Sequence, residues 1–330
     1  VTPTANNVVG KNKIINGNMA IDQRNLGASL TPAEGAYTVD RWEAKQTTAS
    51  KFSVQQSTSS PPVGFTNYAR CTSLSAFSVG SSDQFGLRQI IEGLNHYDLD
   101  WGTSNAKTIT ISFWVRSSLT GTFGCALYNY AGDRSYPFTY AISSANTWEK
   151  KTVTVAGDTS GTWPATSTAG IVLFFSLGSG SGVSGTAGAW SGSFLASVTG
   201  ATSVVATSGA TFDFTGVQLE AGSSATEFEY RQYGTELGLC QRYYQQPIDS
   251  GLDFFAGYMV NGNYGPSAFD TWVVEMRTTP TVVLTLGTLN AVGSVAVNYF
   301  DKKRWHLNPS ANATSNGFYY VAKLTANAEL

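Results

Sequence analysis

The chain has 330 residues, of which 42% are hydrophobic and 13% charged, and its formal net charge is -2. At about 100–200 residues per domain this is two domains, or one large domain with an appendage, and without a basic excess to neutralise phosphates nucleic acid is excluded as a partner. Two histidines and three cysteines exclude a zinc ribbon, a disulfide framework or a multi-histidine metal site, so no metal ion and no cofactor are expected. The 8 Trp, 16 Tyr and 18 Phe accompany 34 Gly and many Ser, Thr and Asn. This is the profile of an all-β protein with polar, uncharged surfaces, suited to neutral ligands such as sugars or to partner subunits. The longest apolar run, Ile171 to Phe175, is far short of the ~18 residues of a membrane span, and membrane insertion is not expected. Val1 to Asn7 lacks the basic start and apolar run of a signal peptide, and a start at Val1 fits a processed product or a fragment. Cys71, Cys125 and Cys240 are odd in number and far apart, and read as small buried hydrophobes.

Residues 1–11 are polar and aperiodic and read as an arm or linker. Strand signals begin at Lys13-Ile14-Ile15 and continue to about residue 230. In Thr108 to Arg116, Ile109, Ile111, Phe113 and Val115 alternate with Thr110, Ser112, Trp114 and Arg116, a period of two with one face buried. Lys150 to Val155 alternates likewise. Ile171 to Leu177 is apolar on both faces and belongs in mid-sheet. Gly178 to Gly209 reads as loops and short edge strands. Thr211 to Leu219 carries Phe212 and Phe214 on one face, and Gly216 marks a bulge or a close backbone approach. Thr235 to Tyr244 is the one helical stretch, with Thr235 as its cap and Pro247 as its stop. Leu237, Cys240 and Tyr244 form its apolar stripe, which would meet its own chain or copies of itself around a symmetry axis. Strand patterns return from 248 to 330, with Asn261-Gly262 as a hairpin turn. The absence of a βαβ alternation disfavours a nucleotide-binding parallel sheet. The expected organisation is an arm at 1–11, a jelly-roll β-sandwich at 12–232, a helical junction at 233–247 and a smaller β domain at 248–330.

Several strings occur in a specific order. They are Asn12 to Arg24 (NKIINGNMAIDQR), Tyr37 to Trp42 (YTVDRW), Phe113 to Ser117 (FWVRS), Asn146 to Lys150 (NTWEK), Gly157 to Trp163 (GDTSGTW), Phe214 to Gly222 (FTGVQLEAG) and Leu239 to Gln245 (LCQRYYQ). Over about residues 12–245 this set resembles a family of bacteriophage tail fibre and virion-surface proteins. The closing Asn327-Ala328-Glu329-Leu330 is similar to a chain end in that family, which makes Leu330 the expected C-terminus. The first part of the family is similar to jelly-roll carbohydrate-binding modules. In many of those, an opening Glu and a late Asp hold a structural calcium. Here Ala20 replaces the Glu and Thr215 or Gly216 the Asp, so no calcium is expected at that place.

Trp114 is the leading ligand candidate, because it shares the polar face of its strand with Ser112 and Arg116. Sugar recognition needs a flat aromatic for the apolar ring face and polar groups for the hydroxyls. Tyr128, Tyr130, Tyr136 and Tyr140, clustered around Asn129, Asp133 and Arg134, form a second candidate rim. Trp42 is expected in the core, and Trp101, Trp148 and Trp163 as plugs at turn edges. Glu92, Asp98, Asp100 and His96 form the one acidic group, without a catalytic motif. Asn312-Ala313-Thr314 is a lone glycosylation sequon of no consequence in a bacterial host. Trp272, Tyr299, Trp305 and His306 are candidates for a distal receptor pocket.

The resemblance implies a non-enzymatic virion appendage, and the aromatic, uncharged profile of the chain makes host cell-surface glycans its expected attachment target. The resemblance also implies a homo-oligomer, a trimer, joined to other virion proteins through the N-terminal arm. The rivals are a capsid decoration protein or head fibre, a structural tail spacer without a glycan ligand, and an accessory domain of a glycan-degrading enzyme.

Overall fold

The computed structural model describes residues 10–259, 267–290, 292–312 and 315–330. The chain divides into two compact units, 1–233 and 234–330. Unit 1 holds β1 (Glu43–Gln46), β2 (Phe52–Ser57), β3 (Tyr68–Ser73), β4 (Gln84–Glu92), β5 (Ile109–Ser117), β6 (Gly121–Asn129), β7 (Ser135–Ile142), β8 (Glu149–Val155), β9 (Ala169–Ser179), β10 (Ser184–Gly185), β11 (Ser197–Val198) and β12 (Thr211–Ala221). Ten of these form two antiparallel five-stranded sheets, in the orders β2-β3-β12-β5-β8 and β1-β4-β9-β6-β7. The chain crosses repeatedly from one sheet to the other, as in a jelly roll.

Period-two patterning explains the sandwich. Ile109, Ile111, Phe113 and Val115 are fully buried between the sheets. Strand β9 is central in its sheet and buried on both faces from Gly170 to Gly178. Trp42 lies in the core, 6.0 Å from Phe175 and 5.1 Å from Phe214, and its indole N–H donates to the Asn16 carbonyl at 3.2 Å. The segment Gly178 to Gly209 holds loops and the two-residue parallel pair β10–β11.

Lys13-Ile14-Ile15 is not a strand. The Asn12 carboxamide oxygen instead accepts the N–H groups of Ile14 and Leu219, each at 3.0 Å. A side chain thus replaces the ladder partner. Arg231 adds a bond to the Ile14 carbonyl at 3.0 Å. Arm residues 1–9 lie outside the described residues.

Unit 2 begins in α1 (Tyr233–Gln241) and continues with β13 (Tyr244–Met259), β14 (Ala268–Thr271), β15 (Thr281–Asn290), β16 (Val292–Phe300), β17 (Arg304–Ala311) and β18 (Ser315–Asn327). Two antiparallel three-stranded sheets result, β13-β18-β15 and β14-β17-β16. Trp272, Met276, Trp305, Leu307, Tyr319, Val321 and Leu324 are in their core. The helix starts two residues before Thr235 and ends before Tyr244. Tyr244 already pairs with Asn327 in the sheet, so the expected stripe of Leu237, Cys240 and Tyr244 spans two element types. Cys240 and Tyr244 are buried within the single chain, and Leu237 alone of the three is half-exposed. Pro247 does not stop the helix. It sits in β13 where the register shifts between Gln245 and Ile248, the kind of irregularity that tolerates a residue without an N–H. The Asn261-Gly262 turn lies outside the described residues, as do Ala313 and Thr314 of the sequon.

One buried group gives unit 1 a pH signature. His96 sits between two 3-10 turns, Gly93–Asn95 and Tyr97–Leu99, and is 2% exposed. Gly170 makes room for it, since a Cβ there would lie 1.9 Å from His96 Nε2. Burial lowers the imidazole pKa to about 4. The unfolded chain, with a pKa near 6.5, binds the proton first as pH falls. The stabilising contribution is therefore full above about pH 6.5 and is lost as pH drops towards about 4, on the order of 3 kcal/mol in all. Urea unfolding at pH 7 and pH 4.5 should show this loss in the wild type and a smaller one in His96→Gln.

Candidate ligand-binding faces

On the outer face of β5 the structure brings Ser112 and Trp114 into a cleft of about 110 Å3 with Val63, Phe65, Lys150, Gly216, Glu227, Phe228 and Tyr230. Sheet register positions the floor, because Trp114 lies opposite Lys150 of β8 and Thr215 of β12. The rim is a triad of rings. Phe65 is 5.1 Å from Phe228 and 5.6 Å from Tyr230, and Phe228 is 4.9 Å from Tyr230. The Tyr230 hydroxyl donates to the Gly64 carbonyl at 2.9 Å, tying the two loops together. Gly216 is required here. Its φ of +62 is left-handed, and a Cβ would meet Phe65 Cζ at 2.6 Å. The register shift between Thr215 and Gln218 is the bulge that Gly216 signals in the sequence.

Trp114 and Phe65 give the cleft an aromatic, apolar lining. Polar groups come from Ser112, Lys150 and Glu227. Its volume is below the roughly 300–1,000 Å3 of pockets that enclose whole small molecules. It suits the edge of one ring. Of this lining the sequence named Ser112 and Trp114 as candidates and left the rim unnamed. The available signal was Phe228-Glu229-Tyr230, two aromatics at period two shortly after β12.

Arg116 is on the same face but is committed elsewhere. Its Nε donates to Asp213 Oδ2 at 2.9 Å, while Arg70 Nε donates to Asp213 Oδ1 at 2.9 Å. Asp213 lies directly opposite both arginines in the ladder, so one 1%-exposed carboxylate links β3, β12 and β5. The Arg116 guanidinium also stacks 4.6 Å from the Trp148 ring, and Trp148 donates to the Ser60 carbonyl at 2.9 Å. Arg116 and Trp148 thus hold the loop after β2 against the sheet.

The second candidate rim belongs to the other sheet and does not converge with Trp114. Tyr128 on β6 is 3% exposed, packed on Phe194 at 5.1 Å. Tyr130 is 50% exposed. Asp133 accepts from Asn129 Nδ2 at 2.6 Å in a turn whose backbone N–H groups at 132–134 also bond the Asn129 oxygen. Tyr136 packs 5.3 Å from Trp190. Trp190 belongs to a cluster with Trp101 at 5.3 Å and Trp163 at 5.7 Å. All three indoles donate to backbone carbonyls, of Ala156, Lys107 and Ser160. The cluster therefore fastens the loops at one end of the sandwich.

In the acidic group, Lys13 Nζ reaches Asp98 at 2.7 Å and Lys107 reaches Asp100 at 3.0 Å, while Glu92 is fully buried. Among the described residues no three His, Cys, Asp or Glu side chains gather as a metal site would need. In unit 2, Tyr299, Trp305 and His306 line one groove. Trp272 is 4% exposed, and its N–H donates to the Asp301 carbonyl at 2.8 Å.

No protein-family model matches the chain, and no curated protein matches it. Among solved structures it is similar to the enzymatically active domain of bacteriophage CBA120 tailspike protein 4, at 12% identity and a TM-score of 0.35. That match covers 64% of this chain and 22% of the tailspike chain. It is also similar to a family 11 carbohydrate-binding module of a Clostridium thermocellum cellulosomal cellulase, at 12% identity and a TM-score of 0.30, over 61% of this chain and 99% of the module. The CBM22-1 xylan-binding domain of Paenibacillus barcinonensis Xyn10C matches at 12% identity and a TM-score of 0.29, over 62% and 99%.

The Arg70–Asp213–Arg116 bridge predicts a stability effect. Asp213→Ala leaves two guanidinium groups facing each other without their shared anion, and should lower unfolding free energy in urea by about 3 kcal/mol. A loss below about 1 kcal/mol would show that water replaces the carboxylate.

Proposed function

We propose that this chain is a non-enzymatic appendage of a bacteriophage particle, a tail fibre or receptor-binding protein, that attaches to glycans on the host surface. The observation that carries the reading is Trp114, half-buried on an outward sheet face among aromatic rings, with Ser112, Lys150 and Glu227 beside it. A sugar ring needs that combination of a flat apolar surface and hydrogen-bonding groups. The lysine partners of Asp98 and Asp100 support a non-catalytic role for the acidic group. The phage context and the threefold assembly rest on the ordered motifs from Asn12 to Gln245.

Binding of the purified protein to intact candidate host cells tests the reading. Periodate treatment of the cells should abolish binding, and Trp114→Ala should weaken it at least tenfold with an unchanged circular dichroism spectrum. Binding to no host cell would favour a decoration protein or a spacer, and release of oligosaccharide would favour an enzyme accessory domain. Light scattering should return about three times the chain mass of 35.1 kDa. A mass near that of one chain overturns the trimer.

A further inference from the structure

A groove of about 680 Å3 lies on the sheet β14-β17-β16 of unit 2. Strand register places Phe269 opposite His306 and His306 opposite Tyr299, so three rings stand in one row across three neighbouring strands. With strands about 4.8 Å apart, the row is about 10 Å long. Residues two apart in a strand share a face, and Thr271 and Arg304 continue the platform beside the rings. Phe269 is 82% exposed and Tyr299 48% exposed.

The row depends on an irregularity. Val297 pairs with Leu307, and in a regular ladder Asn298 would face His306. The register shifts there, and Tyr299 takes the position instead. A bulge of this kind re-aims a side chain at the expense of ladder bonds. The ring it delivers is then held in place. The Tyr299 hydroxyl donates to Asp301 Oδ2 at 3.1 Å, and the Arg304 guanidinium lies 5.2 Å from the ring centre. Asp301 in turn accepts the backbone N–H groups of Lys303 and Arg304 at 2.7 and 3.0 Å.

The geometry points to a second saccharide site here, for a neutral glycan segment of about two pyranose rings. The exposed rings match the apolar faces of sugars, and Thr271 and His306 on the same face match their hydroxyls. A wholly apolar ligand would strip water from those polar groups without replacing its bonds. An acidic sugar is disfavoured by charge, because Arg304 is 3.6 Å from Asp301 and Asp270 adds a further negative group. This site goes beyond the reading of the Trp114 cleft. It lies in the other unit and requires none of the cleft residues.

Saturation-transfer NMR on the full chain with maltose, cellobiose and lactose, and with digalacturonate as the acidic control, tests the inference. At least one neutral disaccharide should receive saturation in the wild type and still do so in Trp114→Ala, in which the first cleft is disabled. Phe269→Ala and Tyr299→Ala should each weaken that binding at least tenfold. The first replaces a ring that is almost wholly in solvent, so its fold should be intact by circular dichroism. Absence of binding by all three neutral probes, preference for digalacturonate, or unchanged binding in Phe269→Ala overturns the proposal. Binding lost in Trp114→Ala alone also overturns it, while leaving the reading of the first cleft in place.

Discussion

Phe175 stacks on Phe214 at 4.7 Å across the two sheets of unit 1, with Trp42 set against both. Phe175 comes from the central strand of one sheet and Phe214 from the central strand of the other. This contact closes the sandwich. Apolar burial is non-directional, but the pleat is not. Once Phe212 and Phe214 point inward, Asp213 must point outward, and the outer face inherits its chemistry from the same strand.

That coupling gives the outer face its character. Asp213 ties together Arg70 and Arg116, and Arg116 fixes Trp148 and the loop after β2. A few residues along β12, the bulge at Gly216 admits Phe65, and the aromatic rim over Trp114 forms. Unit 2 uses the same device on a smaller scale. A bulge in β16 turns Tyr299 towards His306 and Phe269. In both places an interruption of the ladder, rather than the ladder itself, sets the position of an aromatic ring on the outer face.

Strand periodicity made much of this readable. The alternation in Thr108 to Arg116 identified the inward and outward sides of β5, and the doubly apolar Ile171 to Leu177 identified a central strand. Gly216 was readable as a bulge because a glycine inside a strand has few other uses. Other elements were not readable. Lys13-Ile14-Ile15 has strand composition, but Asn12 captures the backbone N–H groups that a ladder would use. The helix was displaced from its expected span because Tyr244 gains a strand partner in Asn327, a residue distant in sequence. Arg116 looked like a ligand contact because its partner Asp213 is almost a hundred residues away.

The sequence by itself determined the all-β class and the inward and outward faces of the strongest strands. These follow from local period and composition, which need no knowledge of neighbours. Tertiary structure alone decided which aromatics come together. Trp114 joins Phe65 and Tyr230, while Tyr128 and Tyr136 belong to the opposite sheet. Phe269, His306 and Tyr299 meet through strand register. Register and loop placement come from pairing between distant segments, and a single bulge changes which side chain stands opposite which.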